Sequence, residues 1–456
     1  MAAVSGAADW RRYEADEITL VADLPAAKAR ALLQRLRAFD QVMDAYVPRD
    51  GFAAPPLRIV VFAQRREFAR IYRSRHFAAF TQPRLSRTTL VVGPDGPDGW
   101  LQNLLHEHVH YRLRTASRSV PLWYEEGLAT LLSTTRFERE EGVEVASAPL
   151  AMPEKYLRRP IANFDLPAMT AVTRLDDWPL GRITSFYKRS AHLTRYLLQD
   201  KPGVAAALDR HLETREQPIW RELGLSPDDL QRAVTAYNKA ADWRVRRFEL
   251  EPVPAAGVRE SKLSRDEVDR LLAATALTPN PRYAARTYQR LLKRAPEDAG
   301  LWASLAAGQR RFDRAAARRS LERAQQLDPQ HPEVLLETAV QAMDACPLDR
   351  SMQCLVDWQD VTHILREVLA QNPDHYHAIL WLGVTELYSG NPGGALNYLK
   401  VAQARAPWAP RVNYLLGEAL RLLGNPRCRA YLERARNWAH DARLRGYAEA
   451  SLGLLP

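Results

Sequence analysis

Three short stretches in the first hundred residues carry the apolar patterns of β-strands. Residues 17–22 alternate between polar and apolar side chains, 57–62 form a nearly continuous apolar run, and 87–93 are rich in β-branched residues. Between the first two stretches, residues 26–46 repeat apolar positions every three or four residues, which is typical of an amphipathic helix. The pattern therefore predicts a sheet with a helix between its first two strands.

After Trp100 the patterns are nearly all helical, including those of 183–199 and 228–248. Strands that come first and helices that come later predict an α+β domain, which we place at residues 10–250. Residues 251–262 contain two prolines and a glycine with little apolar periodicity, so we expect a linker there.

Prolines that end apolar helical stretches recur in the last third of the chain. They stand at Pro296, Pro329, Pro373 and Pro407, at spacings of 33, 44 and 34 residues. A 34-residue period with a helix-ending proline is typical of tetratricopeptide (TPR) repeats. The pattern predicts an all-α TPR solenoid of four to five hairpins over 263–450, which binds a protein partner through its groove and folds without the preceding domain.

The 44-residue interval holds about ten extra residues, and two of the three cysteines lie in this insertion. Cys346 and Cys354 could close a small disulfide loop in an oxidising compartment, or could be two reduced thiols. Three cysteines exclude a disulfide framework and a cysteine-rich zinc site.

The chain has a formal net charge of +10, and 56 of its 64 basic residues are arginine. The arginines are scattered and mixed with acids, which argues against a nucleic-acid surface. No stretch approaches the length of a membrane span. No leader is visible at the start, so we expect a cytoplasmic protein, or a periplasmic or secreted one if a leader was trimmed.

The sequence His-Glu-x-x-His begins at His106. In a helix, His106 and His110 lie on one face and can ligate one zinc ion, with Glu107 beside them. In a strand, His106, His108 and His110 would instead line one face as a three-histidine site. The helix is favoured by apolar residues at every fourth position, namely Leu101, Leu105, Val109 and Leu113. It places His108 on the apolar side, as a buried, hydrogen-bonded residue.

A second motif starts 15 residues after His110, where Glu125 and Glu126 open an apolar helix. A zinc site needs three protein ligands and one open position. The two carboxylates point about 100° apart on a helix, so one of them at most can face the metal. The leucines of this helix lie opposite Glu126, which favours Glu126 as the ligand, whereas an acid at a first turn can also simply compensate the helix dipole.

His-Glu-x-x-His followed by Trp-x-x-Glu-Gly-x-Ala resembles the gluzincin zinc metallopeptidases, and most closely the bacterial peptidase MA-like domains that are often fused to TPR repeats. The sharp motifs span 104–132. The resemblance implies a zincin-like fold for the N-terminal domain. It also implies that His106, His110 and Glu126 are zinc ligands and that Glu107 is the catalytic acid/base.

Two further assignments complete the candidate site. Related enzymes place a tyrosine some sixty residues after the third ligand, which makes Tyr187 the candidate donor to the oxyanion, unless it is an ordinary core tyrosine. The predicted strand before the His-Glu-x-x-His helix could bind an extended peptide by main-chain pairing at Thr89 and Leu90, unless it is an ordinary sheet strand.

The sequence thus predicts a zinc-dependent peptidase that hydrolyses peptide bonds through metal-activated water, with a TPR domain for partner or substrate binding. The alternative is a catalytically inactive, metallopeptidase-like TPR adaptor. A metal-dependent hydrolase that acts on something other than peptides stays open as a third interpretation.

Overall fold

The computed structural model describes residues 9–48, 56–73, 79–84, 87–94, 99–115, 120–140, 143–148, 165–175, 178–199, 201–239, 246–252, 257–344, 358–439 and 442–455. The strands are β1 (Arg11–Ala15), β2 (Ile18–Ala22), β3 (Leu57–Val61), β4 (Ala79–Arg84), β5 (Arg87–Val92), β6 (Arg136–Glu140), β7 (Val143–Ala148), β8 (Arg246–Leu250) and β9 (Arg259–Lys262). The helices before residue 263 are α1 (Ala26–Asp44), α2 (Arg65–Tyr72), α3 (Gly99–Thr115), α4 (Leu122–Leu132), α5 (Leu166–Thr170), α6 (Leu180–Leu197), α7 (Pro202–Thr214), α8 (Ile219–Glu222) and α9 (Pro227–Lys239). The remaining helices are α10 (Arg265–Ala276), α11 (Pro281–Leu292), α12 (Ala299–Gln309), α13 (Arg314–Leu327), α14 (Pro332–Asp344), α15 (Trp358–Gln371), α16 (Tyr376–Tyr388), α17 (Pro392–Arg405), α18 (Pro410–Leu422), α19 (Cys428–Trp438) and α20 (Ala442–Leu452).

A six-stranded mixed sheet organises the N-terminal part, by which we mean residues 9–262. Its strand order is β4-β5-β3-β2-β1-β9, with β2, β3 and β5 parallel to one another and the outer strands antiparallel to their neighbours. Helix α1 connects the parallel strands β2 and β3. This is the helix that the apolar pattern predicts between the first two strands.

The two faces of this sheet belong to two different cores. Ile59 and Leu90 pack with helices α1, α3 and α4 on one face, whereas Val60 and Val91 pack with α2 and α10–α12 on the other. Because side chains alternate across a strand, the apolar runs of β3 and β5 cover both faces.

The predicted strands at 17–22, 57–62 and 87–93 are confirmed as β2, β3 and β5, and the predicted helix at 26–46 is confirmed as α1. The helical prediction for 228–248 is wrong at its end. Helix α9 spans Pro227–Lys239, but Arg246–Leu250 form strand β8, which pairs with β7 in a separate three-stranded sheet of order β6-β7-β8.

The predicted linker is also shorter than expected, because its last four residues form β9 and pair antiparallel with β1. This strand reads Arg-Glu-Ser-Lys and is exposed throughout, so it carries no apolar pattern. Ion pairs between Arg11 and Glu260 (2.8 Å) and between Lys262 and Asp9 (2.9 Å) accompany the backbone ladder.

Helices α10–α19 form five consecutive helical hairpins, and α20 follows as a single helix. Each predicted proline follows the second helix of a hairpin: α11, α13, α15 and α17 all end two to four residues before one. The helix pairs bury continuous apolar clusters between them. The described residues from 263 onward, the repeat array below, therefore form the expected all-α solenoid.

The first hairpin of the repeat array packs against the N-terminal part. Tyr72 Oη and Thr275 Oγ1 lie 2.9 Å apart, and Asn280 Nδ2 donates to the carbonyl oxygen of Ile71 at 2.8 Å. Both contacts lie beside the core that α10–α12 share with the sheet. A cut at residue 262 would divide this core, which argues against independent folding of the repeat array.

The far end of the repeat array also touches the N-terminal part. Arg215 Nη1 donates to the carbonyl oxygen of Asn437 at 3.0 Å, and Asn437 Nδ2 donates to the carbonyl oxygen of Thr214 at 2.8 Å. The repeat array is thus anchored to the N-terminal part near both of its ends.

In the described part of the chain, no helix is long and apolar enough to cross a membrane. Cys346 and Cys354 lie outside the described residues, and Cys428 is a buried free thiol.

Candidate metal centre

The His-Glu-x-x-His segment lies in α3, so the strand alternative with three histidines is wrong. Leu105 and Val109 are fully buried against the sheet, as the four-residue spacing predicts. One turn apart on the helix, the rings of His106 and His110 have centroids 5.0 Å apart. Helix packing therefore holds both imidazoles on one side of α3.

Helix α4 brings a carboxylate to these imidazoles. Its apolar face is fully buried, and Glu126 points from it toward α3. Glu126 Oε2 lies 3.4 Å from His106 Nε2 and 3.7 Å from His110 Nε2, and one ligand atom from each residue lies within 4.8 Å of the others. The three residues predicted as ligands thus converge.

These distances fit a shared cation. Two ligand atoms that each lie 2.0–2.1 Å from a tetrahedral zinc ion are separated by about 3.3 Å. Glu126 Oε2 is buried, and among the described residues it has no hydrogen-bond partner. A buried carboxylate oxygen without a partner is costly, and a metal ion would satisfy it.

The charges around His110 also suit a cation. Burial alone lowers the pKa of His110, but the negative charges of Glu126, Glu125 and Glu107 outweigh it and raise this pKa to about 9. The cluster therefore attracts positive charge to the imidazole, and a divalent ion can supply that charge in place of a proton.

Glu125 has a role that the sequence did not suggest. His110 Nδ1 lies 2.8 Å from Glu125 Oε1, so the ring can donate there and leave Nε2 available to a metal. The two adjacent acids thus reach opposite nitrogens of one imidazole. The 100° between the two carboxylates on the helix indicates which acid can face the metal, but it does not indicate that the other acid reaches the second nitrogen of His110.

Glu107 is buried beside the cluster and accepts a hydrogen bond of 2.6 Å at Oε2 from Thr81 Oγ1. Thr81 lies on β4, at the edge of the sheet. Neither this strand nor Thr81 was predicted from the sequence. The segment Ala-Phe-Thr-Gln-Pro-Arg has no clear alternation and contains a proline, so its pattern gave no signal.

Thr89 and Leu90 do not lie where an extended peptide could pair with them. Their strand, β5, is hydrogen-bonded to β3 on one side and to β4 on the other. Both residues are buried. The expectation that a peptide adds to β5 is therefore contradicted, because the backbone groups of that strand are already paired within the sheet.

Tyr187 reaches the cluster from α6, where its ring centroid lies 5.9 Å from that of His106. Burial, followed by the charges of Glu126 and Glu107, raises the pKa of Tyr187 well above its ordinary value. The hydroxyl therefore keeps its proton as a potential hydrogen-bond donor.

Helix α6 approaches α4 closely at Gly127. A Cβ atom built on Gly127 would lie 2.6 Å from the backbone oxygen of Ser190 and closer still to Thr194 Oγ1. The glycine of the Glu-Gly pair is thus needed for packing, and it sets the distance between Glu126 and the helix that carries Tyr187.

His108 is buried on the apolar side of α3, as the helical pattern predicts. Its Nε2 lies 2.8 Å from Asp40 Oδ1, which also accepts a hydrogen bond of 2.8 Å from Arg112 Nη1. Burial raises the pKa of Asp40, but the charges of His108 and Arg112 outweigh it and hold this pKa well below its usual range. His108 therefore ties α3 to α1 and does not face the metal cluster.

No protein-family model and no curated protein matches the sequence. Solved structures are similar over part of the chain. A thermophilic TPR protein of Thermus thermophilus is 19% identical, covers 41% of this chain and 100% of its own, and gives a TM-score of 0.32. PilW, a type IV pilus biogenesis factor, is 18% identical over 42% of this chain and 93% of its own, with a TM-score of 0.32. A MamA protein is 18% identical over 42% of this chain and 98% of its own, with a TM-score of 0.29. These TM-scores are low, so the repeat assignment rests on the helix pairs themselves.

Proposed function

We propose that the chain is a zinc-dependent peptidase whose repeat array binds a protein partner or holds a protein substrate. The observation that carries the proposal is the convergence of His106, His110 and Glu126, with a buried Glu126 oxygen that no described residue satisfies. Two histidines and one carboxylate are the donor set of catalytic zinc sites that keep a fourth position open.

A bound zinc ion would lower the pKa of a water molecule toward ~7 and polarise the carbonyl of the scissile bond. Glu107 lies next to the two histidines on α3, and its carboxylate would take the proton from that water and return it to the leaving amine. The hydrogen bond from Thr81 occupies one oxygen of Glu107 and would fix the orientation of the other.

Tyr187 would act as the donor to the oxyanion that forms on the attacked carbonyl. It lies beside His106 on the opposite wall of the site, and its raised pKa keeps the hydroxyl protonated at neutral pH. Donors aimed at a developing oxyanion typically contribute a factor of ~10²–10³ in rate.

The substrate would bind along β4 rather than β5. Among the described strands, β4 pairs only with β5, so its outer edge is available for main-chain pairing with an extended peptide. Thr81 on this strand contacts Glu107, which places the edge beside the proposed base.

The competing function is a TPR adaptor without catalytic activity. It is supported by the extent of the repeat array, which includes every described helix from α10 to α20. A peptidase of this kind needs a metal ion bound by the cluster, whereas an adaptor does not. Experiments on the cluster can therefore distinguish the two functions.

The decisive experiment compares Glu107→Gln with wild type for metal content and peptide hydrolysis. The variant should retain zinc and fold, because Glu107 is not a ligand, and should lose a factor of at least ~10²–10⁴ in rate. His110→Ala should lose the metal, whereas His108→Gln, which keeps a hydrogen-bond donor toward Asp40, should retain it.

Metal content is measured by atomic emission on purified protein, and hydrolysis with a broad peptide library. Wild type that holds stoichiometric zinc and cleaves no peptide would refute the peptidase and favour the adaptor. Equal metal loss from His110→Ala and His108→Gln would refute the assignment of the ligands.

A further inference from the structure

A cavity of about 470 Å³ lies where the end of the repeat array meets the N-terminal part. Its walls come from the start of α4, the segment after α5, the turn between α7 and α8, and the last two helices of the repeat array. Its lining includes Trp123, His211, Arg215, Trp220, Asn437 and Arg445. The volume lies within the range of sites that hold small ligands.

Two arginines from different parts of the chain line this cavity. Arg215 stands in the turn after α7 with a left-handed backbone (φ 50°), and Arg445 lies on α20. Arg445 Nη2 donates to the carbonyl oxygen of Ala439 at 3.0 Å, and Arg215 Nη1 donates to that of Asn437. Each guanidinium is thus held by a backbone carbonyl of the repeat array.

The two guanidinium groups lie in the same region of the cavity, because they donate to the carbonyl oxygens of Asn437 and Ala439, which are two residues apart. Burial lowers the pKa of Arg215 to about 10, the charge of Glu125 opposes this, and the charge of Arg445 lowers the pKa further. An anion bound near both arginines would interact favourably with both positive charges. An arginine pair presents forked donors that match the oxygen atoms of carboxylate or phosphate groups.

The rest of the lining suits such a ligand. The ring of His211 stacks on Trp123 with centroids 6.0 Å apart, and Trp220 adds a second aromatic wall. The first turn of α4 opens here with no side-chain cap, which adds a weak positive field. One acid, Glu216, also lines the cavity, and it is exposed.

We propose that this cavity binds a small molecule through a carboxylate or phosphate group held between Arg215 and Arg445. The occupant would bridge the N-terminal part and α20, and so would fasten the end of the repeat array. Helix α4 begins at this cavity and carries Glu125 and Glu126, so the ligand would lie about one turn from the metal cluster. The proposal does not depend on the peptidase activity.

The test uses the full chain and two probes at constant ionic strength, inorganic phosphate and succinate, in isothermal titration calorimetry. Wild type should bind at least one of them, and Arg445→Met should weaken that binding at least tenfold. Arg443→Met is the matched control, because Arg443 is exposed on the same helix and does not line the cavity; it should bind like wild type. The stronger probe identifies which oxyanion the site prefers.

Hydrogen exchange provides a second measurement on wild-type protein, with no variant that could misfold. Saturation with the bound probe should slow exchange in both α19–α20 and the turn between α7 and α8, since the ligand would bridge them. Absence of binding by both probes at 10 mM would overturn the proposal. So would equal affinity of Arg445→Met, Arg443→Met and wild type, which would indicate an adventitious ion only.

Discussion

Replacing Gly127 by alanine should damage the metal centre although Gly127 touches neither metal nor substrate. The added Cβ would lie 2.6 Å from the backbone oxygen of Ser190, 2.8 Å from its carbonyl carbon, and closer still to Thr194 Oγ1. A backbone atom cannot escape by changing rotamer. Helix α6 must therefore retreat by roughly 1 Å to restore an ordinary nonbonded separation of about 3.5 Å.

The magnitude follows from two opposing effects. Glycine to alanine in a helix interior normally stabilises by about 1 kcal/mol. Overpacking a close helix contact typically destabilises by ~1–3 kcal/mol, so Gly127→Ala should lower the free energy of unfolding by up to about 2 kcal/mol. Helix α6 carries Tyr187, and a displacement of ~1 Å at a reacting group can reduce the rate ~10²-fold.

Urea denaturation and peptide hydrolysis measure the two effects separately. Gly446→Ala is the matched control, since Gly446 lies in the interior of α20 and a Cβ added there would meet no atom within 4 Å, and this variant should be stabilised. Adding Thr194→Ala to Gly127→Ala should restore only part of the loss, because the oxygen of Ser190 still obstructs. Gly127→Ala as stable and as active as wild type would refute the reasoning.

Two further substitutions and one fragment test other parts of the structure. Glu125→Gln should weaken zinc affinity about tenfold in a chelator competition, because the carboxylate that orients His110 loses its charge. Burial and two neighbouring carboxylates raise the pKa of Asp23 to about 6, so the stabilising contribution of this carboxyl is complete below pH ~4 and is lost as the pH rises through 6. Asp23→Asn should therefore raise the free energy of unfolding at pH 8. The raised pKa corresponds to about 3 kcal/mol, and because Asp23 is partly exposed to solvent we expect about 1 kcal/mol. At pH 4 the substitution should leave the free energy of unfolding unchanged. A fragment of residues 263–456 should melt in circular dichroism well below the full chain, since it exposes the faces of α10–α12 that the sheet covers; an unchanged melt would refute the shared core.

The elements that could be predicted from the sequence are those that bury one or both faces in a core, because burial gives them a regular apolar pattern. Strands β2, β3 and β5 and helices α1 and α3 belong to this class. Strands β4 and β9 do not, because each lies at an edge of the sheet, where residues 79–82 of β4 are only partly buried and β9 is exposed throughout. Edge strands tolerate proline and charge, so their sequences resemble loops.

The same distinction explains which site residues could be predicted. His106, His110 and Glu126 follow from spacing on two helices, where a local period fixes the direction of each side chain. Thr81 reaches Glu107 from a strand 26 residues earlier, and Arg215 and Arg445 line one cavity although 230 residues separate them. Contacts of this kind depend on how elements pack, and no local pattern records them.

The metal cluster itself bears on the choice between peptidase and adaptor. The cluster places three carboxylates around His110, and one buried oxygen of Glu126 has no hydrogen-bond partner among the described residues. Burying such an oxygen costs free energy that a binding scaffold could avoid by carrying an apolar residue on the same helix. The hydrogen bonds from Thr81 to Glu107 and between His110 and Glu125 orient the proposed base and one of the proposed ligands. This buried donor set of two histidines and one carboxylate is the observation on which we base the proposal of metal-assisted hydrolysis, and zinc content together with the rate of Glu107→Gln tests it.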